Sequence, residues 1–242
     1  DRLSRGLGDV YKRQILLTII TSMAFSQEEG QVEEVEQAEN SESLGYAVFS
    51  TFEIAYGARY GDLQGYLVEE AKRGVNDGYD NCVLYRHELG SERSFYMACF
   101  FQDLDQYAEI MAQPKPDYAR QRQLFSSHTS HMVEMTSNEL DGAPDYIMYG
   151  KWRPSPAISW EEWGLRMDAN ANAHSQAFGG CDGWVHAWGP EMANYLVCGF
   201  DGYEDFATKH EAVGPLLREA ASQFDSIGVV DHSDELLIRV YP

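Results

Sequence analysis

Positive charge is scarce in this chain. Lys and Arg number 18 against 39 Asp and Glu, and the formal net charge is −21 over 242 residues. So acidic a surface repels phosphate backbones and anionic lipid headgroups alike, so nucleic acid and acidic membrane surfaces are not expected partners. Apolar runs are short; none reaches the roughly 18 residues of a membrane-spanning helix. Cysteines are few, Cys82, Cys99, Cys181 and Cys198, and none has the C-x-x-C spacing of a zinc or redox motif. There is no nucleophile elbow, P-loop, dinucleotide fingerprint or zinc signature. Nothing in the sequence therefore implies a cofactor or a metal. The seven histidines are the side chains that titrate near neutrality.

The N-terminal region divides into three parts. Residues 1–14 end in Asp-Val-Tyr-Lys-Arg-Gln (9–14), which resembles a translated sequencing adapter and is set aside as an artefact. Residues 15–26 form a short apolar run closing on Ala24-Phe25-Ser26, the small-x-small pattern of signal-peptide cleavage. A buried strand is the alternative reading, but the abrupt change to acidic sequence at Gln27 disfavours it. Residues 27–43 carry seven Glu and no Lys or Arg, a composition that cannot offset its ordering entropy, so a disordered linker is expected. Together these features predict a bacterial protein exported to the periplasm or medium. Its mature chain would begin near Gln27, without a lipid anchor, since no Cys adjoins the cleavage site.

Cysteine spacing exposes an internal repeat. Cys82 to Cys99 and Cys181 to Cys198 are both steps of 17, and the pairs are related by adding 99. At that offset, without gaps, eleven of 49 positions from Tyr79 to Ser127 are identical, among them His87/His186, Gly90/Gly189, Tyr96/Tyr195 and Pro116/Pro215. Rare residue types dominate the matches, so the chain reads as a tandem duplication of residues 44–141 and 142–242.

Each copy has the same predicted order. In the first, 46–54 is β-branched and aromatic, a strand. Leu63, Leu67, Ala71 and Val75 mark a helix over 62–76. Strands over 82–88 and 94–101 flank a turn at Gly90-Ser91. A helix over 104–111, interrupted at Pro114 and Pro116, resumes over 117–133, and a short strand near 135–140 closes the unit. The second copy predicts a strand at 146–152 and a helix opened by the capping box Ser159-x-x-Glu162. Strands at 181–188 and 195–200 follow, then a helix broken at Pro215 and a last strand at 236–241.

Strand-helix-strand-strand-helix-strand is the ferredoxin-like order. Over about Ser43 to Pro242 the chain resembles the dimeric α/β-barrel superfamily in topology, length and duplication. The resemblance implies an α+β fold in which two tandem βαββαβ repeats close one single-chain barrel, with helices outside. A barrel completed within one chain permits a monomer. No motif of a named family is present, so no functional residue carries over. Members include quinol-type monooxygenases, haem-handling enzymes and small isomerases, and the fold alone does not choose among them.

Hairpin register sorts the candidate residues. With Gly90 and Gly189 in the turns, Tyr85 faces Tyr96 and Trp184 faces Tyr195. Strand alternation then puts Val83, Tyr85, His87, Tyr96 and Ala98 on one face and Cys82, Leu84, Met97, Cys99 and Phe101 on the other. The cysteine face is apolar apart from Arg86 and belongs under the helices. Cys82–Cys99 and Cys181–Cys198 are expected as cross-strand disulfides; four reduced, buried cysteines are the competing reading. The other face turns inward, making Tyr85, His87, Tyr96, Trp184, His186 and Tyr195 the candidate ligand-binding residues, unless these rings simply fill the barrel. His128 and His131 would share a helical face, but their partners at offset 99, Ile227 and Val230, argue for core positions rather than metal binding. His174 falls on an apolar stripe as a satisfied core histidine. Trp160 and Trp163 read as helix-to-sheet packing.

Three functions remain open. The first is binding of a small, partly apolar ligand in the barrel. The second is a cofactor-independent monooxygenase- or isomerase-like enzyme with His87 or His186 as general base. The third is a structural or interaction protein with a filled interior.

Overall fold

The computed structural model describes residues 44–89, 93–114, 123–224 and 228–242. The adapter-like residues 1–14, the leader 15–26, the linker 27–43 and the Gly90-Ser91 turn lie outside the described residues. In the described chain the order is β1 (Tyr46–Ile54), α1 (Tyr60–Asp77), β2 (Asn81–Leu89), β3 (Ser94–Phe101), α2 (Leu104–Ala112), β4 (Phe125–Ser137), β5 (Tyr146–Pro154), α3 (Trp160–Phe178), β6 (Cys181–Trp188), β7 (Asn194–Phe200), α4 (Tyr203–Ala221) and β8 (Val229–Tyr241). The strands close into a barrel in the ring order β1-β3-β2-β8-β5-β7-β6-β4. Every neighbouring pair is antiparallel. Each half of the chain supplies four adjacent strands, and the halves meet at two seams, β2·β8 and β4·β6. Closure leaves no strand edge unpaired, which removes the edge that an isolated four-stranded sheet would expose.

Alternation along the strands separates two cores. The outer faces carry Leu84, Phe95, Phe52 and Ile54, which pack with Leu63 and Leu67 of α1. In the second half Met148, Trp152, Leu196, Cys198 and Leu236 pack with Trp163, Met167 and Phe178 of α3. Cys82 and Cys99 stand opposite each other in the β2·β3 register and are disulfide-bonded, with Cα atoms 4.1 Å apart. Cys181 and Cys198 are bonded in the same way at 4.4 Å. The bridges lie in the non-polar layer beneath the helices. A Cβ on Gly74 of α1 would come within 2.9 Å of Cys82 Sγ, so the helix requires glycine there to approach the bridge.

Three sequence expectations are corrected. The helix expected over 117–133 is not there: from Phe125 the chain is strand β4, and residues 115–122 are outside the described set. Its Ser, Thr, His and Val are poor helix formers, and two neighbours, β1 and β6, hydrogen-bond it on both sides. His128 and His131 therefore occupy a strand and share no helical face. Second, α4 runs unbroken through Pro215. Pro215 sits on the solvent side, where water can serve the freed carbonyl, and Gly214 before it avoids the usual steric clash. Third, β8 begins at Val229, well before the predicted Leu236.

Strand pairing also revises the equivalence of the closing strands. Val133 pairs with Ala47 in the first half as Leu237 pairs with Ile147 in the second. His131 and Glu235 then take matching places, as do His128 and His232. The ungapped offset of 99 had matched His131 to Val230, because it could not register the longer connection before β8.

Candidate functional site

The inward faces enclose a cavity of about 410 Å³ at the end of the barrel covered by the β4–β5 connection. Its wall is mainly apolar: Phe49, Val83, Ala98, Phe100, Ile147, Trp184, Val197 and Leu237, with Tyr85, Tyr96 and Tyr149. Asn81, Asn138 and Asp182 supply polar groups to its lining. Volume and composition fall within the range of small-molecule sites, roughly 300–1,000 Å³ and predominantly apolar with a few polar groups.

Two side chains fix the β4–β5 connection over this cavity. Tyr85 donates its hydroxyl hydrogen to the Pro144 carbonyl at 3.0 Å. Asp182 Oδ1 accepts from the backbone N–H groups of Glu139 and Leu140 at 2.8 and 2.9 Å. Burial pushes the Asp182 carboxyl above its ordinary range, opposed by the same two N–H groups. Burial likewise pushes the Tyr85 hydroxyl up to about 12, so it remains protonated and a donor at neutral pH.

Deeper in the barrel the rings form a continuous layer. Phe49 makes edge contacts with Trp184 at 5.3 Å and Tyr195 at 5.8 Å. Tyr149 lies against Tyr195 at 5.8 Å and Tyr96 at 5.6 Å. Tyr149 is partly buried, and its hydroxyl is pushed well above the tyrosine range, chiefly by burial and further by Tyr195, Tyr96, Glu191 and Glu235. It belongs at once to the cavity wall and to the polar group beyond.

That polar group occupies the hairpin end. His87 Nε2 faces Glu235 Oε2 at 2.9 Å, both side chains nearly buried. His131 stacks on Tyr195 at 5.4 Å. Burial lowers the His131 pKa; Glu191 opposes this, while Lys151 and His186 reinforce it. Lys151 and Glu191 pair at 3.1 Å toward solvent. The Tyr195 hydroxyl, His87 Nε2 and the Nδ1 atoms of His131 and His186 are buried with no hydrogen-bond partner of good geometry among the described residues. Buried polar atoms without partners mark places where water or a ligand is needed.

The six candidate residues thus divide. Tyr85, Tyr96 and Trp184 line the cavity; His87, His186 and Tyr195 do not contribute to its wall and lie at the hairpin end. Sequence reasoning missed Tyr149 and Glu235, whose signal was alternation in strands predicted too coarsely to be assigned faces. It also misplaced His131. His174 is a buried helical histidine whose Nδ1 lies 2.9 Å from the Asn170 carbonyl, as expected of a satisfied core position. Trp163 is buried as expected, its Nε1 donating to Asn194 Oδ1 at 2.7 Å, whereas Trp160 is 62% exposed and does not pack on the sheet. The described residues contain no group of three or more His, Cys, Asp or Glu placed to hold a metal ion. No helix among them is long and apolar enough to cross a membrane.

No family model and no curated protein sequence matches the chain. Solved structures share its fold. A Fusobacterium nucleatum protein with a provisional monooxygenase name aligns at a TM-score of 0.61 and 6% identity, over 81% of this chain and 93% of its own. An anthrone oxidase-like protein aligns at 0.58 and 11% identity, over 81% and 92%. A Lactobacillus acidophilus protein, again with a provisional monooxygenase name, aligns at 0.55 and 12% identity, over 81% and 93%. At these identities the likeness is one of fold: an eight-stranded α+β barrel of the dimeric-barrel type, completed here within one chain.

Proposed function

We propose that this chain is an exported, tandemly duplicated protein that holds a small, largely apolar, ring-bearing ligand inside its barrel. One observation carries the reading: a cavity of about 410 Å³ lies within the barrel, walled by aromatic and aliphatic side chains with Asn81, Asn138 and Asp182 among the few polar groups. Apolar surface left facing such a space is stabilised by a ligand that removes it from water. Tyr85, Tyr96, Tyr149 and Trp184 would contact the ligand's rings, and the two Asn amides would orient its polar substituents. Two buried disulfides are consistent with folding in an oxidising compartment, which supports the export expected from the leader-like sequence. The test is native mass spectrometry of the full chain purified from its own host, beside an Ala98→Phe variant that fills the cavity. A co-purifying mass that the variant loses is the expected result. An unliganded wild-type chain, or equal retention by the variant, would sink the reading.

A second reading makes the same ligand a substrate. It is favoured by the titratable groups directly behind the cavity wall, Tyr149 and the His87–Glu235 pair, which could exchange a proton with an acidic hydroxyl or C–H. The monooxygenase and oxidase names of the structural neighbours point the same way. Conversion of the co-purified ligand by wild type, lost in both Tyr149→Phe and His87→Gln, would establish it; an unchanged ligand would leave a carrier.

A further inference from the structure

A second concavity lies outside the barrel and belongs to a different surface. It is a groove of about 460 Å³ between α3 and strands β4, β6 and β7. The helix contributes Trp160, Gly164, Asp168, Asn172 and Ser175, a row at steps of three and four that is distinct from the core-facing row Trp163, Met167, His174 and Phe178. Thr136 and Glu139 stand across from it. The Trp163 ring forms part of the back wall and is anchored by its hydrogen bond to Asn194.

Three features define what could occupy this groove. Trp160 presents a large ring at 62% exposure, so an indole face is available to solvent. The polar lining is mostly amide and hydroxyl, with Asp168 and Glu139 as acceptors and neither Lys nor Arg. That set gives an anionic ligand no cation to pair with and matches a molecule carrying many neutral hydroxyls. Third, Gly164 sits in the middle of α3 beside Trp160, and a Cβ there would meet nothing within 4 Å. Glycine inside a helix costs about 1 kcal/mol relative to alanine, and here no close packing demands it. What it does is leave the face beside the indole uncovered.

We infer that this groove is a binding site for a neutral saccharide. A pyranose has a flat C–H face that lies against an aromatic ring and a rim of equatorial hydroxyls that seeks planar acceptors and amide donors. Trp160 would stack one sugar ring, and Asp168, Asn172 and Glu139, farther along the groove, would take the hydroxyls of the following rings. The groove and the barrel cavity share Trp184, but Ala98 lines only the cavity, so Ala98→Phe should leave sugar binding intact.

The experiment is titration of the full chain with cellotetraose, xylotetraose and maltotetraose, followed by tryptophan fluorescence and calorimetry. Tetragalacturonate and tetralysine serve as the anionic and cationic comparisons. At least one neutral tetrasaccharide should bind in the micromolar to millimolar range. Trp160→Ala and Gly164→Leu should each weaken it tenfold or more, while Trp188→Ala, an exposed tryptophan outside the groove, should not. Gly164→Leu adds a helix-favouring residue, so its thermal midpoint should not fall and misfolding cannot explain the loss. Absence of binding by all three neutral sugars would overturn the inference. So would tighter binding of tetralysine or tetragalacturonate, or unaltered affinity in Gly164→Leu.

Discussion

At the β2·β8 seam a lumen-facing histidine, His87, meets a carboxylate, Glu235, at 2.9 Å. At the β4·β6 seam the matching histidine, His186, sits where His131 takes the place of that carboxylate. One seam thus sets an imidazole against a carboxylate. The other sets two imidazoles together, each with Nδ1 buried and unpartnered among the described residues, and His186 adds to the lowering of the His131 pKa. The backbones match while the lumen side chains differ, a histidine–carboxylate contact at the first seam and two imidazoles at the second. Strand pairing joins both seams, and Tyr195 stacks on His131 at the second. A ligand group that reaches the hairpin end of the lumen would find buried polar atoms in need of partners at both seams, His87 Nε2 at one and the Nδ1 atoms of His131 and His186 at the other.

The largest expected effect breaks the His87–Glu235 contact. Glu235→Leu should leave His87 buried without its partner and cost about 3–5 kcal/mol, the usual penalty for removing one member of a buried pair. His131→Leu, made at the matching position, should cost less than about 1 kcal/mol or stabilise, because it removes an unsatisfied polar atom. Urea denaturation of both variants measures the contrast, and equal losses would show that the two seams do not differ.

Next come the disulfides, where the halves should agree. Each bridge closes a loop with a sequence separation of 17, and its loss should cost about 3 kcal/mol by the loop-entropy estimate. Cys82→Ala/Cys99→Ala and Cys181→Ala/Cys198→Ala should lower the thermal midpoint by similar amounts. A variant with unchanged stability would mean its bridge does not form in solution.

Acidification should sharpen the contrast between seams. Burial lowers the pKa of His131 and of His128, which stacks on Phe52 at 4.4 Å but is exposed, so that its share is screened and His131 carries the effect. A histidine whose folded value is depressed contributes stability present above its ordinary value of about 6.5, and that stability is lost as pH falls through the folded value. His232, in the place matching His128, behaves oppositely. Its hydrogen bond to Asp234 at 2.9 Å raises its pKa, so its contribution is present at low pH and lost as pH rises through the folded value. His232 is part-exposed and its share is screened. Net stability should therefore fall between about pH 7 and pH 5. His131→Phe should flatten that fall, and His232→Phe should steepen it. A pH profile indifferent to His131→Phe would refute the assignment.

The smallest effect concerns helix starts. Ser159 Oγ accepts from the Glu162 N–H at 3.1 Å and caps α3, whereas Arg59 at the matching end of α1 makes no side-chain cap. Ser159→Ala should cost about 1 kcal/mol, and Arg59→Ser should gain a few tenths or more. Helix stability read by circular dichroism against temperature would check both, and a stabilising Ser159→Ala would contradict the capping geometry.

Much of this architecture was legible in the chain. The step of 17 between cysteines and the alternation around Tyr85, Tyr96, Trp184 and Tyr195 were enough to register both hairpins. Those signals are local: a two-residue period and a short turn leave a single consistent pairing. The site was legible only in part. Tyr85, Tyr96 and Trp184 lie on those same hairpins, but Tyr149 and Glu235 lie on strands whose neighbours are far away in sequence. His131 was lost to a helical reading because no local pattern in Phe125–Ser137 outweighs its apolar spacing until β1 and β6 flank it.

By itself, then, the sequence determined the α+β barrel, the cross-strand disulfides and which hairpin face turns inward. Each follows from periodicity and from spacing within a few residues. Only the tertiary structure decided where the interior stays open and where it fills. It also decided which histidine meets Glu235 and which meets another imidazole, and that Trp160 faces solvent beside the gap left by Gly164. Those outcomes depend on the closing strands and on the path of α3 over the barrel. Both are set by side-chain volumes summed over distant segments, a quantity that no local pattern encodes.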